Sequence, residues 1–99
     1  MAAKKPLTLK EISKRLGALS EWQLNKKETH ISKTFGTENF IAGLSFVAKI
    51  AVHAEILNHH PDIELTYTAV KVTLTTHEAK GVTTFDFDLA KRIDAIRER

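Results

Sequence analysis

The sequence predicts an α+β fold, a four-stranded antiparallel sheet with helices packed on one face, in the order α-β-β-α-β-β-α. Three observations lead there. Residues 38–57 carry the longest helical periodicity in the chain. Residues 66–76 are rich in Thr, Val and Tyr and alternate like a strand. Between residues 21 and 35, apolar and polar residues alternate on either side of a polar turn. Hairpins joined by a helix place the helices over one sheet face.

The elements follow in order. Thr8-Leu9-Lys10-Glu11 has the form of a capping box, with Thr8 as N-cap and Glu11 at the third helical position. Leu9, Ile12 and Leu16 recur at helical spacing, and Gly17 ends the segment. Trp22 and Leu24 mark a strand near 21–25, and Ile31 and Phe35 a strand near 30–35, with Asn25-Lys26-Lys27-Glu28 as the turn. Thr37 is placed to cap the next helix. Along residues 38–57, Phe40, Leu44, Val47, Ala51 and Ala54 fall on one stripe. Ile41, Ala48 and Ile50 extend the apolar surface past that stripe, which points to a second buried contact such as an oligomer interface.

Asn58-His59-His60-Pro61-Asp62 breaks the helix, because Pro61 disfavours helical geometry at His60. In the 66–76 strand, Val70, Val72 and Leu74 share one face, and Lys71, Thr73, Thr75 and His77 the other. Gly81 makes a turn, Val82 to Phe85 form a short strand, and Asp86 caps a last helix whose Leu89, Ile93 and Ile96 share a face.

Composition bounds the function. The chain has 99 residues, expected to form a single domain, 1–99. Hydrophobic residues make up 42% and charged residues 27%, which excludes a disordered tail. The absence of Cys excludes a disulfide scaffold, a thiolate metal site and a Cys nucleophile. The mostly apolar stretch from Phe40 to Val52 is broken by Ser45 and Lys49 and is too short to span a bilayer. No apolar run follows the N-terminal lysines, so no membrane association is expected and the expected compartment is the cytoplasm. The net charge is +3, but its lysines are spread along the chain, so nucleic acid is not an expected partner.

Candidate chemistry gathers at element ends, where binding residues concentrate. His59 and His60 are adjacent at the helix–loop break, His77 ends a strand, Glu55 lies one helical turn before His59, and Asp86 starts a helix. Histidine titrates near neutrality, so paired histidines can supply both an acid and a base. Each residue also has a plain structural use: a histidine suits a helix C-terminus, and an aspartate suits an N-cap. His30 and His53 have no partner pattern and read as structural or surface residues. Metal-ligand spacings such as His-x3-His and HExxH are missing, and no metal site is expected. GxSxG, GxxxxGK and GxGxxG patterns are missing as well.

Glu55-Ile56-Leu57-Asn58-His59-His60-Pro61-Asp62, followed by Tyr67, Val70, Thr76-His77, Gly81, Asp86 and Leu89-Ala90, resembles pterin-4a-carbinolamine dehydratases. Trp22, Phe35, Phe40 and Phe46 fit upstream, so the resemblance covers about residues 8–96. Two positions differ or vary: the family usually has Trp where this chain has Ile63, and it alternates Asp with the Asn found at position 58.

The resemblance implies dehydration of a 4a-hydroxytetrahydropterin to the quinonoid dihydropterin, within tetrahydropterin recycling, with no metal or organic cofactor. It marks His59, His60 and His77 as the catalytic histidines. His60 is expected to be the acid toward the leaving hydroxyl, with His59 and His77 as bases or orienters. Glu55 and Asp86 match site carboxylates that set histidine charge and tautomer, and Asn58 and Pro61 belong to the same motif. The turn Thr76-His77-Glu78-Ala79 matches backbone that contacts the pterin. The resemblance also implies a homodimer or homotetramer, joined by sheet edges and by the long helix. Non-catalytic relatives on this fold act as a transcriptional dimerisation cofactor or as Rubisco assembly chaperones. They leave a partner-binding role as the alternative.

Overall fold

A computed structural model describes residues 5–97. Helix α1 (Leu9–Leu16) leads into strands β1 (Gln23–Leu24) and β2 (Ile31–Gly36), then the long helix α2 (Phe40–Leu57). Strands β3 (Asp62–Thr66) and β4 (Ala69–Leu74), a 3-10 turn (His77–Ala79) and helix α3 (Thr84–Arg97) follow. The antiparallel sheet has the order β1-β2-β4-β3. Both the α+β class and the α-β-β-α-β-β-α order agree with the sequence reading.

The boundaries of the last two strands differ from it. Residues 66–76 are not one strand. Tyr67-Thr68 is the two-residue loop of a hairpin, and β3 begins directly after Pro61. Ile63 and Leu65 turn inward and alternate with exposed Asp62, Glu64 and Thr66, a five-residue pattern shorter than the Thr/Val run beside it. Residues 82–85 are not a strand: after the isolated bridge Thr76–Gly81 the chain enters α3 at Thr84.

The caps shift in the same way. Thr8 and Glu11 do form the reciprocal capping box of α1. The N-cap of α2 is Asn39, whose side chain accepts from the Ala42 N–H at 2.9 Å, rather than Thr37. Asp86 lies in the first turn of α3 and the residue before the helix is Thr83.

Side chains from the inner sheet face and the helices form the core. Ile31, Val70, Val72 and Leu74 of the sheet meet Ile12, Phe46, Ile50, Phe87, Leu89 and Ile93, all buried. The buried side of α2 is Gly43, Phe46, Ile50 and Ala54, not the stripe through Phe40 and Leu44, which are 51% and 47% exposed. A helix apolar around most of its circumference fits several stripes, and Gly43 decides among them. A Cβ at Gly43 would lie 2.8 Å from Leu65 Cδ1 and 3.6 Å from Val70 Cγ2, so this is where helix and sheet approach closely. By length and composition α2 would suffice to cross a membrane, contrary to the reading that stopped at Val52. Its Gly43–Ala54 side lies on the sheet.

Candidate active site

The break after α2 positions the paired histidines. Asn58 takes the left-handed conformation (φ 50°, ψ 44°), which asparagine tolerates better than most residues. The His59 N–H then bonds back to the Ala54 carbonyl at 3.0 Å and the Asn58 N–H to Glu55 at 3.2 Å, a Schellman-type closure. Half-buried Pro61 follows and launches β3. His59 is thereby turned toward the body of the protein and His60 toward solvent, their side chains 11% and 56% exposed.

His59 Nε2 lies 2.6 Å from Oδ1 of Asp86, a carboxylate with no solvent exposure. The other oxygen of Asp86 accepts from the Thr76 hydroxyl at 2.9 Å and from the Thr83 N–H at 2.8 Å. The Thr76 and Thr83 hydroxyls lie 2.7 Å apart. Two elements remote in sequence from α2 thus converge on one carboxylate: the end of β4 and the start of α3. With only acceptors on the carboxylate, a neutral His59 carries its proton on Nε2 and leaves Nδ1 as its acceptor nitrogen.

His60 Nε2 lies 2.5 Å from Oε2 of Glu55, and both side chains are well exposed. The pair orients His60 and adds little to stability, as exposed ion pairs do. His77 directly follows Thr76 and is exposed; among the described residues none hydrogen-bonds its ring. Glu78 is exposed and Ala79 half-buried in the same turn. The Thr76 N–H and C=O and the Ala79 N–H are already committed inside the turn. His77 and Glu78, as its first residues, carry N–H groups with no partner within it.

The structure therefore joins His59, Asp86 and Thr76 in one network and His60 with Glu55 in another. It places His77, Glu78 and Ala79 on the turn that Thr76 starts. Asn58 contributes backbone geometry.

Two residues were missed in the sequence. Thr83 was hidden by assigning the cap to Asp86, although Thr-x-x-Asp is itself a helix-start pattern in which the third residue reaches back. The Phe85 ring stands 5.7 Å from the His59 ring, tilted by 31°, and no sequence signal marked it. Cavities of about 420 Å³ and 340 Å³ lie along the α2–α3 groove around Lys49 and Ile96, and none of the candidate residues lines them. The candidate residues run from the buried Asp86 through the nearly buried His59 to the exposed His60, Glu55 and His77.

The family model described as pterin 4 alpha carbinolamine dehydratase matches residues 5–96. The chain belongs to the pterin-4a-carbinolamine dehydratase family. A Nostoc punctiforme relative, provisionally named a pterin-4-alpha-carbinolamine dehydratase, is 44% identical over 91 residues, covering 92% of this chain and 96% of the relative. A relative in Acidobacterium capsulatum with the same provisional name is 43% identical over 90 residues, 91% of this chain and 96% of its own.

Among solved structures of this dehydratase fold, a transcriptional coactivator/pterin dehydratase from Brucella melitensis superposes with a TM-score of 0.89 at 37% identity. That match covers 93% of this chain and 98% of the other. A pterin dehydratase-like protein described as a RuBisCO assembly factor in the alpha-carboxysome gives a TM-score of 0.67 at 23% identity, over 79% and 90% of the two chains. At that identity the likeness is one of fold.

Proposed function

We propose that residues 1–99 act as one domain that dehydrates a 4a-hydroxytetrahydropterin to the quinonoid dihydropterin by histidine acid–base catalysis. The observation that carries this reading is the buried Asp86 carboxylate holding His59 by Nε2, beside the exposed His60–Glu55 pair. Loss of water breaks the bond between carbon 4a and its hydroxyl oxygen. An imidazolium gives that oxygen the proton with which it departs as water, and a neutral imidazole takes a proton from the ring, so atoms and charge balance.

His60, solvent-exposed and backed by Glu55, suits the acid. His59, fixed with Nδ1 available, and His77 on the adjoining turn suit the base and the orienter. The free N–H groups of the His77–Glu78 turn suit the acceptor edge of a pterin. The reaction draws on side chains alone, with no metal or organic cofactor.

The same reading includes self-association as a homodimer or homotetramer. Phe40, Ile41, Leu44, Val52 and Ile56 leave a large exposed apolar face on α2, and β3 is an open sheet edge. That face also supports the second reading, a protein that binds a different partner. The intact network around Asp86 favours the enzyme, because docking through α2 needs none of it.

The test is dehydration of synthetic 4a-hydroxytetrahydropterin, followed by absorbance against the spontaneous reaction. Acceleration that falls by about 100-fold or more in His59→Ala and in His77→Ala is expected. A folded protein that gives no acceleration overturns the dehydratase reading in favour of partner binding.

A further inference from the structure

We propose that Thr83 is a positioning residue for this reaction, holding Asp86 and the Thr76–His77 turn together so that His59 keeps its proton on Nε2. The inference rests on the dehydratase reading for its effect on turnover, and on geometry alone for its effect on His59.

Thr83 is 1% exposed and Thr76 4% exposed, so neither hydroxyl can fall back on water. The Thr76 hydroxyl has one proton and gives it to Asp86 Oδ2. The 2.7 Å contact between the two hydroxyls must then carry the proton of Thr83. The Thr83 oxygen in turn accepts from the Phe85 N–H at 3.2 Å, while its own N–H donates to Asp86 at 2.8 Å. Every polar atom of Thr83 named here is thus committed, and the direction of each bond is fixed.

A helix cap needs only part of this. Accepting from Phe85 and donating the backbone N–H to Asp86 would satisfy the start of α3. The bond to Thr76 is additional. It ties the first turn of α3, which bears Asp86 and Phe85, to the segment that bears His77. Without the Thr83 hydroxyl, Thr76 loses its donor and keeps only its bond to Asp86, so the hydroxyl-to-hydroxyl tie between this turn and the start of α3 is gone. The carboxylate plane that defines the His59 contact then loses one of its supports.

The experiment compares Thr83→Val, which removes the hydroxyl and keeps the backbone N–H, with Thr83→Ser, which restores it. Imidazole ¹⁵N spectra of His59 and steady-state kinetics on synthetic 4a-hydroxytetrahydropterin are both recorded well below the melting transition. Thr83→Val is expected to lower kcat on the order of 10-fold, the scale of partners behind a reacting group. KM should change little, and the His59 nitrogens should lose their single-tautomer pattern. Thr83→Ser should recover both.

A Thr83→Val protein with unchanged kcat and an unchanged His59 pattern, differing only in melting temperature, overturns the proposal and leaves Thr83 a cap. If the wild-type protein shows no dehydratase activity, the functional reading fails while the ¹⁵N pattern still decides the positioning role. If Thr83→Val does not fold, Thr83→Ala removes the same hydroxyl with a smaller side chain and is read by the same spectra.

Discussion

His59 and Asp86 are 27 residues apart in sequence, yet Nε2 of one lies 2.6 Å from Oδ1 of the other. The contact spans the end of the longest helix and the first turn of the last. It depends on three local devices: the left-handed Asn58, the return bond from His59 to Ala54, and the Thr83–Thr76 clasp on Asp86. The His–carboxylate pair is the product of the whole fold.

Asp86→Asn tests that contact. The amide can present only one acceptor atom where the carboxylate presents two, so one of its donors faces an N–H. Turnover should fall by about 100-fold or more, and stability by about 1–3 kcal/mol for the mispaired buried group. Kinetics and urea unfolding of the same preparation separate the two effects. A variant that loses stability but keeps its turnover would show that Asp86 serves the fold alone.

Phe85→Ala addresses the ring beside His59. A flat heterocycle placed against His59 would meet this aromatic face, which stacks or packs edge-on with a planar ligand. KM is expected to rise several-fold, consistent with the loss of about 1 kcal/mol of ring contact, with kcat less affected. Equal KM values for Phe85→Ala and wild type would remove Phe85 from the site.

Much of this was legible in the sequence, and the rest failed for identifiable physical reasons. The α+β class and element order follow from periodicity, and the Thr8–Glu11 capping box from four residues. Val70, Val72 and Leu74 are fully buried as their alternation required. The β3–β4 hairpin was obscured because Tyr67 and Thr68 have strand-forming side chains yet occupy its loop. The face of α2 was obscured because the helix is apolar nearly all round and glycine, the residue nearest the sheet, carries no hydrophobic signal. The candidate site was named through its histidines and carboxylates. Thr83 and Phe85 stayed hidden, because a cap position and an ordinary helix residue gain a role only through contacts remote in sequence.

The capping box predicts a pH dependence. The backbone N–H and hydroxyl of Thr8 hold the Glu11 carboxyl below its ordinary value of 4.5, aided by the charge of Arg15. A depressed carboxylate contributes stability above its ordinary value and loses it as pH falls through the folded one. The gap in unfolding midpoint between wild type and Glu11→Ala should therefore be present at neutral pH and shrink on acidification below 4.5. A gap that widens in acid would contradict the charged cap.

The outer face of α2 predicts the assembly. Ile41 is 68% exposed and Leu44 47% exposed, on a helix with no acidic residue in its first turn. Five large apolar side chains on one helix exceed what a monomer ordinarily leaves in water, and burial at a helix–helix interface is worth roughly 25 cal/mol per Å² of apolar area. Leu44→Glu places a charge in the middle of that face without touching Gly43, Phe46 or Ile50, which hold α2 on the sheet. Sedimentation velocity should show wild type as a dimer or larger and Leu44→Glu shifted toward a smaller species with unchanged circular dichroism. A wild-type chain that sediments as a monomer would assign the face to another partner. If Leu44→Glu sediments as wild type does, association runs through another surface, such as the open edge of β3.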